Sequence, residues 1–127
     1  MKKITLVVLA LTLCLMMFAN AVAEGVTPYA GSGNKVFATL TLNSSLGTAS
    51  ARVTLLAGYS ASSTIYVQKL VNGSWVTVKT ATGTTRVSTS FSASTGVSYR
   101  VYAVSTAIYD ATGKTERLTA YSETRSN

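Results

Sequence analysis

Histidine is missing from this sequence altogether, and cysteine occurs once, as Cys14. Cys14 falls in an N-terminal apolar run, so the rest of the chain has neither residue. That removes Ser–His and Cys–His nucleophile pairs, the usual zinc, copper and iron ligand sets, and redox thiols. It also leaves no intramolecular disulfide to staple a small exported domain. Acids are scarce too: Glu24, Asp110, Glu116 and Glu123 are the whole supply. Of these, only Asp110 and Glu116 are placed well enough to be considered as a carboxylate pair, and a turn and a strand edge are the plainer places for them. Calcium needs several clustered oxygens, and Asp110-Ala111-Thr112-Gly113 offers one acid. No glycine cluster precedes a helical pattern, so no phosphate-cradling loop is present. The composition therefore predicts no enzyme, no cofactor and no metal.

What the chain does have begins with Met1-Lys2-Lys3, followed by apolar residues from Ile4 to Phe18 and then Ala19-Asn20-Ala21-Val22-Ala23. A positive start, a short apolar stretch and a small-x-small ending are the marks of a secretory signal peptide over 1–23, cleaved after Ala23. The apolar run is shorter than the roughly 20 residues a spanning helix needs. Leu13 stands before Cys14 where a lipoprotein box wants a small residue, so lipidation is not expected. Without Lys2 and Lys3, nine basic residues remain against four acidic ones, a net +5. Such a balance favours anionic surfaces such as wall polymers, lipid headgroups or acidic glycans. The basic residues are spread singly along the chain, without the Lys/Arg run that marks nucleic-acid binding.

Residues 24–35 are rich in glycine and polar residues and are read as a flexible N-terminal segment. A β-sandwich domain is expected over 36–123, with 124–127 as a C-terminal tail. Period-two alternation runs through Val36, Ala38, Leu40 and Leu42, then through Ala49, Ala51, Val53, Leu55 and Ala57. After a polar turn region at 58–63 come Ile65–Val71, Ser74–Val78, Val87–Ala93, Tyr99–Ala107 and a last run through Leu118, Ala120 and Ser122. Alternation with abundant Thr and Val, broken by turn residues, predicts about seven antiparallel strands and no helix. Two such sheets must cover each other's apolar faces, which gives a sandwich.

Asn72-Gly73 is the sharpest local signal. A two-residue type I′ turn needs positive φ at both positions, which Asn-Gly supplies at least cost. Counting outward pairs Val71 with Ser74, Leu70 with Trp75, Lys69 with Val76, Gln68 with Thr77, Val67 with Val78 and Tyr66 with Lys79. One face then carries Ile65, Val67, Val71, Val76 and Val78 and is assigned to the core. The other carries Tyr66, Leu70 and Trp75. In the sixth run, Tyr99, Val101 and Ala103 point inward and Arg100, Tyr102, Val104 and Ile108 outward. If that strand lies beside the third, then Tyr66, Leu70, Trp75, Tyr102 and Tyr121 share one outer surface. This is the candidate binding face. Cross-strand aromatic pairs that stabilise the sheet are the competing reading of the same residues.

The segment Glu24-Gly25-Val26-Thr27-Pro28-Tyr29-Ala30, the stretch Val67-Gln68-Lys69 through Asn72-Gly73-Ser74-Trp75 to Val78-Lys79-Thr80, and Gly96-Val97-Ser98-Tyr99-Arg100-Val101-Tyr102 together resemble a group of small exported proteins of clostridia and related Firmicutes. The same pieces are loosely similar to immunoglobulin-like and fibronectin type III domains. That resemblance implies an immunoglobulin-like β-sandwich, with Tyr99 as the tyrosine that anchors the corner into the sixth strand. The cysteine pair of antibody domains is absent, so only the architecture carries over, and fold analogy assigns no activity.

Export, absent chemistry and an aromatic face lead to the expectation of a secreted, non-enzymatic binding module acting at the cell surface or in the extracellular matrix. Its partner would be a cell-wall or matrix glycan or another extracellular protein, with no nucleic acid and no stable membrane insertion. A bacteriocin-like, membrane-active antagonist and a self-assembling structural subunit are the alternatives. The first lacks an amphipathic basic helix, and the second must reckon with Arg52, Lys69, Arg86 and Arg100 standing in the strands.

Overall fold

The computed structural model describes residues 33–127, so the expected signal peptide over 1–23 and most of the 24–35 segment lie outside the described residues. The alternating runs become strands β1 (Lys35–Asn43), β2 (Leu46–Thr54), β3 (Tyr59–Val71), β4 (Ser74–Gly83), β5 (Arg86–Ser92), β6 (Ser98–Tyr109) and β7 (Thr115–Tyr121). A two-residue strand, β8 (Arg125–Ser126), closes the chain. All pairings are antiparallel. One sheet has the order β1-β2-β5; the other has β4-β3-β6-β7, with β8 beside β6. Among the described residues there is no helix, and the architecture is two facing antiparallel sheets.

Alternation decides which side chains meet between the sheets. Val36 and Leu40 of β1, Ala49, Ala51 and Val53 of β2, and Val87 and Phe91 of β5 point inward from one side. Ile65 and Val67 of β3, Val101, Ala103 and Ala107 of β6, and Leu118 of β7 meet them from the other and are fully buried. Tyr99 is buried with its ring 5.2 Å from that of Phe91. Its hydroxyl accepts the backbone amide of Ser94 at 2.9 Å, so the one polar atom of a buried ring is satisfied.

The hairpin forms at the expected place, with Asn72 at φ 50° and Gly73 at φ 80°. Its register matches the expectation for the four pairs nearest the turn. A bulge then intervenes: Val67 pairs with Lys79 and Tyr66 with Thr80, so Val78 has no direct opposite. The assignment of Val71, Val76 and Val78 to the core is also corrected. They keep 38, 43 and 42 % exposure. Val71 and Val76 keep core parity, but they stand at the hairpin tip and on the edge strand β4, and Val78 sits at the bulge.

Three further boundaries move. Gly58 is turn, whereas Tyr59–Ser63, read as a turn region, are the start of β3 and pair with β6. Asn34, placed in the flexible segment, is 1 % exposed. Its Oδ1 accepts the amide of Leu56 at 2.8 Å and its Nδ2 donates to Glu116 Oε2 at 3.4 Å, tying β1, the β2–β3 connection and β7 together. The C-terminal residues are bound in place: Asn127 donates its amide to Val97 O and accepts that of Gly96, which continues the β6–β8 pairing.

Candidate functional site

The outer face of the β4-β3-β6-β7 sheet is where the sequence placed its candidate residues. Tyr66 of β3, Tyr102 of β6 and Tyr121 of β7 stand in one cross-strand row. Their rings stack in sequence: Tyr66 to Tyr102 at 5.9 Å and 26°, Tyr102 to Tyr121 at 4.7 Å and 24°. Near-parallel, offset rings at such spacings are a favourable arrangement of aromatic quadrupoles. All three side chains are half-buried against one another.

Trp75 of β4 sits nearer the hairpin tip, opposite Leu70. It joins the tyrosines through Arg100 of β6, whose guanidinium lies 4.3 Å from the Trp75 ring centre and 4.2 Å from that of Tyr121. Arg100 Nε also donates to Gln68 Oε1 at 2.8 Å, which fixes the plane of the guanidinium. A flat, delocalised cation between two aromatic faces is the geometry that arginine fits and lysine does not. Arg117 of β7 reaches the hydroxyl of Tyr102, the middle ring of the row, at 3.4 Å. Four of the five candidate residues therefore form one cluster. Leu70 shares the face but stands outside the stack, 39 % exposed.

Arg100 is the member that the sequence reading left out of the site. Its outward parity was legible, but a charged residue between two rings is not visible until β4, β6 and β7 are placed side by side. Leu70, directly opposite Trp75, extends the apolar surface on this face toward the hairpin tip, whereas Val71 and Val76 are exposed on the other side of the hairpin.

The acids lie elsewhere. Asp110 Oδ1 accepts the Ser60 hydroxyl at 2.8 Å, and the Asp110 amide donates to Gly58 O, which binds the β6–β7 turn to the start of β3. Glu116 accepts from Asn34, as above. Both carboxylates thus have structural partners. Among the described residues no group of three or more Asp, Glu, Cys or His could hold a metal ion.

Compared with models of protein families, with curated proteins and with solved structures, the chain finds no match.

Proposed function

We propose that this chain is a secreted, non-catalytic binding module of immunoglobulin-like, fibronectin type III-like type, which recognises its partner through the aromatic outer face. Two features support the finer fold type. The order β1-β2-β5 facing β4-β3-β6-β7 is a Greek-key sandwich in which β4 lies beside β3 rather than beside β5. The Tyr99 hydroxyl bound to the Ser94 amide, at the mouth of β6, has the form of a tyrosine corner. The leader-like pattern of residues 1–23 supports export.

The observation that carries the functional reading is the clamp of Arg100 between Trp75 and Tyr121, continued by the stacked Tyr102 and Tyr66. Rings held by neighbours lose little freedom when a ligand covers them, so more of the contact energy appears as affinity. The exposed Leu70 opposite Trp75 enlarges the surface over which water can be displaced. Such a surface suits the flat C–H faces of wall or matrix glycans, or the apolar side chains of another extracellular protein.

Co-sedimentation of the purified protein with insoluble polysaccharides, peptidoglycan and Gram-positive cells tests the reading. It is run at low and high salt with wild type and Trp75→Ala. Binding that persists in high salt and is lost with Trp75→Ala is the expected result. Unchanged binding by a folded Trp75→Ala variant removes the aromatic face as the recognition surface.

A further inference from the structure

The opposite outer face, on the β1-β2-β5 sheet, is built differently. Outward positions there form cross-strand rows: Phe37–Arg52–Arg86, then Thr39–Ser50–Ser88, then Thr41–Thr48–Ser90. Lys35 stands one row beyond the arginines, on the same face. These basic residues, scattered in the sequence, are gathered by the strand pairing onto one surface. No Asp or Glu occurs in β1, β2 or β5, and the described acids Asp110, Glu116 and Glu123 follow β6 or lie in and after β7.

The register sets Arg52 directly opposite Arg86. Like charges in that relation destabilise a sheet. Among the described residues neither guanidinium has an ion pair or a hydrogen bond to relieve it. Arg52 has only the face of Phe37, 5.6 Å from its carbon to the ring centre. The two cations and Phe37 border an open concavity of about 620 Å³, floored by Thr39, Ser50 and Ser88. Its size is that of a small-ligand site.

From this geometry we infer a second binding site, for an acidic saccharide, whose charged group is held between Arg52 and Arg86. Paired guanidinium forks match the two oxygens of a carboxylate or the several oxygens of a sulfate or phosphate, and an anion between them turns a repulsion into two attractions. The row of hydroxyls can both donate to and accept from sugar hydroxyls. Phe37, 47 % exposed, offers a flat ring against which a sugar's C–H face packs. An inorganic anion would use only the arginines; a saccharide uses all three features. The site rests on none of the residues of the aromatic face.

Titration calorimetry of the purified protein with oligogalacturonate, sulfated dextran, neutral dextran and inorganic sulfate tests this. The two acidic saccharides separate carboxylate from sulfate recognition, and binding of either supports the site. The expected result is binding of acidic over neutral saccharide, weakened about tenfold by Arg52→Gln or by Arg86→Gln, the loss of one charge-assisted contact. Phe37→Ala weakens saccharide binding and leaves inorganic sulfate unchanged. Lys114→Gln, the same charge change on an exposed loop, leaves it within about twofold. Equal loss with Lys114→Gln reduces the site to diffuse charge and overturns it, as does equal binding of neutral dextran. Inorganic sulfate binding as tightly as the sulfated saccharide overturns the saccharide assignment. Without ligand, Arg86→Gln raises the melting midpoint by removing the repulsion; a lowered midpoint shows a structural guanidinium and also overturns the proposal.

Discussion

Ser63 of β3 and Ser105 of β6 face each other in the interior of the sandwich, their hydroxyl oxygens 2.7 Å apart and both side chains buried. Ser63 Oγ also lies 2.6 Å from the carbonyl oxygen of Thr84, which can only accept. A hydroxyl has one proton. Ser63 therefore donates to Thr84, and Ser105 donates to Ser63. The chain of bonds runs from β6 through β3 to the β4–β5 turn, and it ties that turn to the core at the point where the chain crosses between sheets.

The direction of these bonds makes the two serines unequal. Ser63→Ala removes the donor to Thr84 and strands the buried Ser105 hydroxyl, which costs about 1–3 kcal/mol. Ser105→Ala leaves the Ser63–Thr84 bond intact and costs about 0.5–1.5 kcal/mol. The double variant should be little worse than Ser63→Ala, since the stranded group is gone. Urea unfolding of the three variants checks the order; a larger loss from Ser105→Ala contradicts the assigned direction.

Two glycines separate packing from conformation. Gly47 of β2 pairs with Phe91 of β5, and a Cβ on Gly47 would clash with the Cζ edge of the Phe91 ring. Gly47→Ala is an overpacking change, expected to cost about 1–3 kcal/mol. Phe91→Ala alone is worth about 3–5 kcal/mol, but it opens the space that Gly47→Ala fills, so the two changes together should cost less than their separate sum. A strictly additive pair in denaturant unfolding would show that the methyl finds room elsewhere.

Gly73 is the contrasting case. Nothing lies within 4 Å of a Cβ built there, but its φ is +80°. Gly73→Ala should therefore cost about 1–2 kcal/mol from the left-handed backbone alone. No change at Phe91 should alter that figure, which a double-variant cycle tests directly.

How much of this was legible in the sequence follows from what each inference needed. Alternation is local, so the strands and the inward side of β6, from Tyr99 to Ala107, could be read directly. Parity puts Tyr66, Trp75, Tyr102 and Tyr121 on one face only if β3 and β6 are neighbours, and they do pair. Burial is not local. Val76 has core parity but stands exposed on the edge strand β4, and Val78 falls at the bulge. The bulge at Val78, opposite the Val67–Gln68 step, has no signal in residue type. The pairing of Arg52 with Arg86 needed the knowledge that β5 adds to β2, which no turn or spacing announces. Asn34 reads as linker in the sequence because Leu56 and Glu116, which its side-chain amide binds, are brought to it only by folding.

The Arg100 clamp yields the last prediction, and it concerns the protein without any ligand. The guanidinium stacks on Trp75 and Tyr121 while its Nε is held by Gln68. Each half-exposed cation–π contact is worth about 0.5–1 kcal/mol. Arg100→Ala should thus destabilise by about 1–2 kcal/mol, and it should also let water reach the Trp75 ring, moving its fluorescence to longer wavelength. Arg100→Lys keeps the charge but not the plane, so it should recover only a small part of the stability and little of the spectral shift. Full recovery by lysine would mean that charge alone, rather than a flat cation between two rings, holds the face together. Intrinsic fluorescence is sufficient for the measurement because Trp75 is the only tryptophan in the chain.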